Sequence, residues 1–185
     1  MGGGAVDFGI VFQDPVLFPW RDVQSNVELP AEIAGIRREQ RAETARKLIG
    51  LVGLQGFERK YPYELSGGMQ QRVAIARALM LSPSLLLMDE PFGALDAMTR
   101  EQMNLELQKI SMATRATVVF VTHSIAEAVF LSDRVMVMTG RPAILKDVVE
   151  IDIPRPRNLE MIASGRFGGL VGHLRQLLDA TADPR

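Results

Sequence analysis

The residues best suited to chemistry follow a short apolar run in the middle of the chain. Leu85–Met88 is continuously apolar, as expected of a strand buried on both faces, and Asp89 and Glu90 come directly after it. Open parallel sheets bind ligands at the carboxyl ends of their strands, where these two carboxylates would lie. Asp89 is predicted to hold Mg²⁺ through water, and Glu90 to orient and polarise an attacking water. On this segment alone, a strand end whose charges simply face solvent explains the same residues.

A second candidate is the segment Leu65–Arg72, in which Ser66, Gly67 and Gly68 precede a predicted helix. Glycines let the backbone approach a ligand closely, and the first N–H groups of a helix are free to bind an anion. Ser66 adds a hydroxyl at the same place. The segment predicts an anion site, and a simple helix N-cap followed by a glycine turn is the structural alternative.

Three further polar residues stand at the ends of predicted elements. Gln13 ends the first strand, where a neutral amide could reach a metal or a water. Asp96 closes the segment Gly93–Asp96, and His123 follows a later strand. Each has an ordinary structural explanation when taken alone, since a histidine at a strand end is more often hydrogen-bonded than catalytic.

The elements that must position these residues alternate between apolar strands and amphipathic helices. This alternation predicts an α/β fold with a mostly parallel sheet. The predicted strands are Phe8–Phe12, Leu85–Met88, Thr117–Thr122 and Arg134–Met138, and Ala143–Ile153 is predicted to form more exposed edge structure. Gln13, Asp89 and His123 thus all stand near strand ends.

Between the first two strands the pattern is helical. Asp22–Gly35 and Arg37–Gly53 place apolar residues on one helical face and charges on the other, and Gly53 stands where a helix is expected to end. After the last strand, Pro154–Arg157 is predicted to be a linker and Phe167–Ala180 a terminal amphipathic helix.

These elements predict a single partial domain in three parts. Residues 1–19 and 82–153 form the α/β core, and residues 20–81 form a helical subdomain that carries Ser66. Residues 154–185 form the linker and the terminal helix. The helical subdomain is therefore expected to be an insertion in the core.

The composition narrows the functional classes. The 185 residues include 21 basic and 22 acidic ones, for a net charge of -1, and no basic stripe that would neutralise nucleic-acid phosphates. Nucleic acid is therefore not an expected partner. Cysteine is absent, which excludes disulfides and thiolate metal sites. No apolar run has the length of a membrane span, so membrane association is expected to come through a partner.

Taken in order, these segments resemble the ABC ATPase family over nearly the whole chain. Gln13 matches the family's Q-loop, Leu65–Gln70 its signature motif, and Leu85–Glu90 its Walker B strand with the catalytic glutamate. Gly93–Asp96 matches the D-loop and His123 the switch histidine. The resemblance implies an incomplete P-loop NTPase fold of the ABC ATPase type, with a helical subdomain inserted in a mostly parallel sheet.

The resemblance also implies ATP and Mg²⁺ as cofactors and gives each residue a role. Glu90, His123 and Gln13 would be catalytic, and Asp89 and Gln13 would serve the metal. The cofactor-binding residues would be Ser66, Gly67, Gly68, Gln70 and Asp96. In this family two subunits sandwich two ATP molecules head to tail, so the signature residues would bind the γ-phosphate of ATP held by the other subunit.

Partners and location follow from the same resemblance. The protein would lie at the cytoplasmic face of the inner membrane, as a peripheral ATPase subunit. Its partners would be transmembrane permease subunits, whose coupling helix enters a groove between the helical subdomain and the Q-loop. A second copy or an intact ABC ATPase would complete the dimer, and a periplasmic or extracellular solute-binding protein would act indirectly.

Three segments are similar to the nitrate/sulfonate/taurine importer ATPases in particular. They are Gln13–Pro15, Leu17–Trp20 and Ile151–Arg157. Met69 stands where the commonest signature has glutamine, which is typical of this group. Trp20 is either a contact for the coupling helix or a wedge in the core, and the sequence leaves both open.

The phosphate-binding loop of the family, Gly-x-x-x-x-Gly-Lys-Ser/Thr, does not occur in these residues. The lysines are Lys47, Lys60, Lys109 and Lys146, and none of them follows a glycine. The chain is therefore expected to be an N-terminally truncated subunit with doubtful activity on its own. Its sheet is expected to lack the phosphate-loop strand and the helix that fills one face.

The leading hypothesis is thus an ATP-binding and ATP-hydrolysing subunit of an ABC importer for a small solute, present as a fragment. The alternative is a non-catalytic partner that lends its signature motif in trans to an intact ABC ATPase. The DNA-repair and chromosome-organising branch of the superfamily has a long coiled coil between Q-loop and signature. Residues 14–65 are too short for such a coil.

Overall fold

The computed structural model describes residues 7–93, 95–114, 116–140 and 142–179. Its strands are β1 Phe8–Val11, β2 Leu85–Asp89, β3 Thr117–Val121, β4 Arg134–Thr139 and β5 Ile144–Glu150. Its α-helices are α1 Val23–Ile33, α2 Arg38–Leu51, α3 Gly67–Ala78, α4 Ala97–Ala113, α5 Ile125–Leu131 and α6 Gly165–Asp179, with short 3₁₀ helices at Pro62–Glu64 and Leu159–Ala163. The chain forms two compact units that divide between Val121 and Thr122, a division the sequence did not predict.

The first unit contains a three-stranded parallel sheet in the order β1-β2-β3. This confirms the parallel sheet predicted from the alternation of elements. Gly9 is needed here because a Cβ on it would lie 2.6 Å from the carbonyl oxygen of Ala78, so β1 packs directly against the end of α3. Val11, Leu86 and Met88 are buried on the inner face.

The outer face of this sheet remains open to solvent. Phe8, Ile10 and Phe12 on that face are 54%, 38% and 51% exposed. Leu85 and Leu87 in β2 are only partly covered, so the prediction that this strand is buried on both faces was wrong. The reason is that buried side chains of the unit pack against one face only, which leaves a contiguous apolar surface.

We expect this surface to drive self-association, since contiguous exposed apolar area and unpaired strand edges promote it. The 185-residue chain should elute from a sizing column as species larger than its 20.4 kDa mass and should bind a hydrophobic dye. Ile10→Glu combined with Phe12→Glu should shift elution toward the monomer. Met98→Glu, which adds a charge at an exposed site on α4, should leave the oligomers unchanged. A monodisperse wild-type monomer with a sharp cooperative melt would contradict this expectation.

The helical region between β1 and β2 has the predicted helices. The side chain of Asp22 caps α1 by accepting from the Ser25 N–H (2.8 Å). After α2, Gly53 has a φ of +67° and donates to the carbonyl oxygen of Gly50 (3.1 Å), and Leu54 donates to that of Ile49 (2.9 Å). These two bonds form a Schellman motif, which confirms Gly53 as the residue that ends the helix.

The second unit holds α5, the β4–β5 hairpin and α6. β4 was expected to join the mostly parallel sheet, and that expectation was wrong, because β4 pairs with β5 in a separate antiparallel sheet. The connection around Gly140 (φ +81°) is tight, and a tight connection joins only antiparallel neighbours. β5 is mostly exposed, as predicted.

The terminal helix α6 begins at Gly165 and buries Phe167 and Leu174. Of the helix predicted for Phe167–Ala180, Ala180 lies outside the described residues, as do residues 1–6 and 181–185. Within the described ranges, none of the helices combines the length and the apolar character that a membrane crossing requires.

Candidate functional site

The carboxyl ends of β1 and β2 bring three predicted site residues to one edge of the sheet. The two strands are parallel, with Val11 opposite Met88, so Gln13 and the pair Asp89–Glu90 follow on the same side. Asp89 is exposed at the end of β2, opposite Val121 of β3. The sheet therefore places two carboxylates and one amide where parallel sheets bind ligands.

Glu90 has an unusual backbone conformation. Its φ is +44°, in the left-handed region that residues other than glycine seldom adopt. Two bonds hold it there: its N–H donates to the carbonyl oxygen of Val121 (2.9 Å), and its own carbonyl accepts from the Gly93 N–H (3.0 Å). Strained residues of this kind concentrate at functional sites, where the surrounding structure compensates for the strain.

The side chain of Gln13 lies against the loop that follows Glu90. A Cβ added to Gly93 would come 3.0 Å from the Nε2 atom of Gln13 and 3.4 Å from the carbonyl oxygen of Glu90. Glycine at position 93 therefore allows the amide and the glutamate turn to adjoin. The backbone before Gln13 is held by Gln71, a buried residue whose Nε2 atom donates to the carbonyl oxygen of Phe12 (3.0 Å).

The loop after Gln13 is also held by side chains. Arg77 donates to the carbonyl oxygens of Val16 (2.8 Å) and Pro15 (2.9 Å), and burial lowers the pKa of Arg77 below its ordinary value. At the other end of the loop, Asn26 accepts from the Phe18 N–H (2.8 Å). Trp20 itself is 71% exposed, so its alternative role as a core wedge was wrong.

In the signature segment, Ser66 is the N-cap residue of α3. Ser66 is exposed, and its hydroxyl oxygen accepts from the Met69 N–H (3.3 Å), so the structural alternative for this serine is present. Gln70 donates through Nε2 to the carbonyl oxygens of Pro62 (2.9 Å) and Leu65 (3.3 Å). The side chain of Gln70 therefore supports the loop, while Ser66 and Gly67 are exposed and Gly68 is buried.

Thr99 on α4 connects the signature glycines to Asp96. A Cβ on Gly68 would lie 3.0 Å from the methyl carbon of Thr99. Asp96 caps α4 by accepting from the Thr99 N–H (3.0 Å) and from the Thr99 hydroxyl (2.6 Å), and these bonds lower the pKa of Asp96. Ala94, between Gly93 and Asp96, lies outside the described residues.

His123 belongs to the second unit, in the loop between β3 and α5, and is exposed. The residues on either side of it take part in a network of hydrogen bonds. Thr122 accepts from the Ser124 N–H (3.0 Å) and donates to the Glu127 carboxylate (2.7 Å), and Ser124 accepts from the Glu127 N–H (3.3 Å). The histidine therefore directly precedes a well-capped helix.

The structure thus assembles two clusters in the first unit. One contains Gln13, Asp89 and Glu90, and the other contains Ser66–Gly68 with Asp96. No group of three or more His, Asp or Glu side chains suited to a metal occurs in the part of the chain that the structure describes. The first cluster still suits Mg²⁺, which usually keeps several waters and takes one or two carboxylates together with substrate phosphates.

Comparison with known proteins points to one family. The family model described as ABC transporter matches residues 5–93. The chain is 46% identical to a taurine import ATP-binding protein of Rhizobium johnstonii, covering 97% of this chain and 70% of the relative. It belongs to the ABC transporter ATP-binding family. A further relative is an uncharacterized ABC transporter ATP-binding protein of Methanocaldococcus jannaschii, 56% identical over 84% of this chain and 58% of the relative.

A solved ABC transporter structure confirms the fold. The structure of cbiO1 from Clostridium perfringens, part of the ABC transporter complex cbiONQ, matches with a TM-score of 0.65 and 29% identity. The match covers 69% of this chain and 51% of cbiO1. The family expected from the order of the sequence motifs is therefore confirmed.

Several supporting residues of the two units were not predicted from the sequence. Gln71 and Arg77 bind backbone carbonyls about 60 residues earlier in the chain, beyond the reach of any local pattern. Arg157 was assigned to a linker, yet it is buried in the second unit. A signal available for Gln71 and Arg77 was their position on the helix that the signature motif begins.

Proposed function

We propose that the chain is part of an ATP-hydrolysing subunit of an ABC importer, with Gln13, Asp89 and Glu90 at its chemical site. The observation that carries the proposal is the shared carboxyl edge of β1 and β2, where an amide adjoins the turn that bears two carboxylates. Family membership supplies the reaction class. A glutamate held in a strained turn is suited to orient a water, because its position is fixed before the reaction begins.

Each residue then has a distinct role. Glu90 polarises the attacking water, Asp89 and Gln13 hold Mg²⁺ together with waters, and His123 contacts the γ-phosphate of ATP. Mg²⁺ supplies positive charge that balances the charge developing on the phosphates. Asp89 suits this role because its carboxylate is exposed at the strand end rather than engaged in the core.

The signature segment acts on the nucleotide of a second subunit. Ser66, Gly67 and Gly68 begin a 12-residue helix whose first N–H groups and dipole favour an anion. Gln70 and Asp96 complete the proposed nucleotide-binding set. Gln70 also holds the loop before α3, and Asp96 caps α4. Direct contact with the γ-phosphate is assigned to the serine and the two glycines.

The membrane partner is a permease, which docks near Trp20 at the cytoplasmic face of the membrane. Val16, Trp20 and Ile33 are exposed apolar residues of the first unit, and Arg77 and Asn26 keep the loop of Val16 and Trp20 in shape. A preformed apolar surface suits docking of a helix from a membrane subunit. The names of the taurine import relatives support a small sulfonate such as taurine as the solute.

A second candidate function is favoured by the exposure of Ser66 and Gly67 at the start of α3. In this alternative the chain is a non-catalytic partner that presents its signature segment to an intact ABC ATPase. It would complete one of the two nucleotide sites without binding ATP itself.

One set of experiments separates the two candidates. Alone, the 185-residue chain should show no binding of MgATP in a calorimetric titration, because it contains no phosphate-binding loop motif. A rebuilt subunit, made by fusing the N-terminal segment of a taurine-type relative ahead of Gly9, should hydrolyse ATP. An inert but folded fusion would contradict the first proposal. Micromolar ATP binding by the chain alone would contradict the expectation of no binding and, with it, the non-catalytic alternative.

The alternative has its own readout. If the chain acts in trans, adding it to an intact relative should increase nucleotide trapping by that relative, and Ser66→Arg should abolish the increase. Trapping that is the same with and without the chain would exclude the non-catalytic role.

A further inference from the structure

The helix that follows His123 depends on its two ends. α5 has seven residues, fewer than the 12–15 or so that an isolated helix needs to be even marginally stable in water. Its N-terminus is fixed by the bonds among Thr122, Ser124 and Glu127 described above. What fixes its C-terminus therefore also decides how firmly the His123 loop is held.

Two arginines of the C-terminal segment bind the last turn of α5. Arg157 is 2% exposed, and Arg155 is partly buried beside it. The acceptors of Arg157 are the carbonyl oxygens of Val129 (2.9 Å), Phe130 (2.9 Å), Ser132 (2.8 Å) and Ile153 (3.0 Å). Arg155 donates to the carbonyl oxygen of Leu131 and to the Asp133 carboxylate (3.0 Å). The carbonyls of four consecutive residues, 129–132, are thereby bonded to arginine at the C-terminal end of the helix.

This arrangement satisfies two requirements at the C-terminal end of a helix. The last carbonyls of a helix have no partner within it, and together they carry a partial negative charge. A guanidinium supplies both donors and positive charge, and its planar fork serves several acceptors at once. Burial, followed by the charge of Arg155, lowers the pKa of Arg157, while the nearby Asp133 acts in the opposite direction. The carbonyl bonds compensate for burying the charge.

We infer that Arg157, assisted by Arg155, is a positioning residue for His123. It acts through α5: by fixing the C-terminal turn, it fixes the direction in which the capped N-terminus presents the loop Thr122–Ser124. The importance of His123 rests on the proposed function, whereas the mechanical link does not. The segment Pro154–Arg157 is thus part of the support of the switch histidine rather than a spacer.

The test uses the 185-residue chain at micromolar concentration and needs no nucleotide. Arg157→Gln keeps a polar side chain but removes the charge and most donors. Hydrogen exchange measured by mass spectrometry should become about tenfold faster across residues 122–131. Carbethoxylation of His123 should become about threefold faster. His123 and His173 are the two histidines and fall on different tryptic peptides, after Arg115 and after Arg166, so the rate at His123 is resolved.

Two companion variants make the result decisive. Arg157→Lys restores charge but not the fork, so it should give an intermediate exchange rate. Arg166→Gln removes an exposed ion pair with Asp152 in the same segment and should change neither readout. Unchanged exchange at residues 122–131 in the Arg157 variants would overturn the inference. So would equal acceleration over all of residues 122–179, since that is the result of a merely structural role.

If Arg157→Gln does not fold, Arg155→Gln tests the same link. It removes the bond to Leu131 and should accelerate exchange in α5 by a smaller factor. The inference fails if α5 exchanges at the wild-type rate in that variant. Loss of ATP hydrolysis in the rebuilt subunit would bear on the proposed function alone, because neither readout here depends on ATP.

Discussion

Glu90→Gln in the rebuilt subunit is expected to lower ATP hydrolysis by about 10²–10⁴-fold, the usual contribution of a general base. Glutamine keeps the size of the side chain and one acceptor oxygen but removes the charge that polarises water. The backbone strain at position 90 is equal for both residues, so the turn held by Val121 and Gly93 should persist. ATP affinity should hardly change, and the closed dimer should accumulate because its route back, hydrolysis, is blocked.

Two measurements check this expectation. Phosphate release gives the rate, and size-exclusion chromatography with ATP gives the dimer fraction. Glu101→Gln is a matched control, since it makes the same substitution at an exposed position of α4 and should alter neither quantity. Hydrolysis within about threefold of wild type, against the expected loss, would remove Glu90 from the chemical step.

Ser66→Arg is expected to have the opposite effect on assembly. Nucleotide should still bind each rebuilt subunit through its own phosphate loop, but a large side chain at the start of α3 would occupy the space of the facing γ-phosphate. A steric cost of about 1–3 kcal/mol corresponds to a dimer weakened by about 5–150-fold. The positive charge is also placed at the positive end of the helix dipole. Hydrolysis should fall because closure fails.

Ser66→Ala separates closure from helix capping. Both substitutions remove the bond to the Met69 N–H, at a cost of about 1 kcal/mol in stability, but only arginine adds bulk. Alanine should therefore leave most of the ATP-dependent dimer. If the Glu90 and Ser66→Arg variants both stayed monomeric with ATP, or both dimerised, the assignment of Glu90 to chemistry and Ser66 to closure would be wrong.

Local sequence patterns predicted the features whose conformation depends on residues close together in the chain. Gly53 marks the end of α2 because the terminating residue needs a positive φ, and Ser66 begins α3 because its hydroxyl satisfies a free N–H. The apolar runs that became β1, β2 and β3 were recognisable from composition alone. The order of the motifs then identified the family.

Contacts between distant residues were not predictable in the same way. Gln71, Arg77 and Arg157 each bind backbone carbonyls far along the chain, and nothing in their sequence neighbours specifies those acceptors. The antiparallel pairing of β4 was not predicted, because an apolar run gives no information about which strand it pairs with. The partial exposure of β2 was not predicted, because a continuously apolar strand was taken to be buried on both faces. Whether both faces are covered depends on the elements that pack against the strand.

The close approach of Gly93 to Gln13 implies that some positions without a chemical role will tolerate substitution as poorly as the catalytic positions do. Position 93 carries no reactive group, yet its missing Cβ is the clearance by which an amide reaches the glutamate turn. Gly68 provides the same clearance for Thr99, and Gly9 for α3. A survey of variants should therefore find alanine disfavoured at Gly9 and Gly93, which have no chemical role, as well as at the residues that act on substrate.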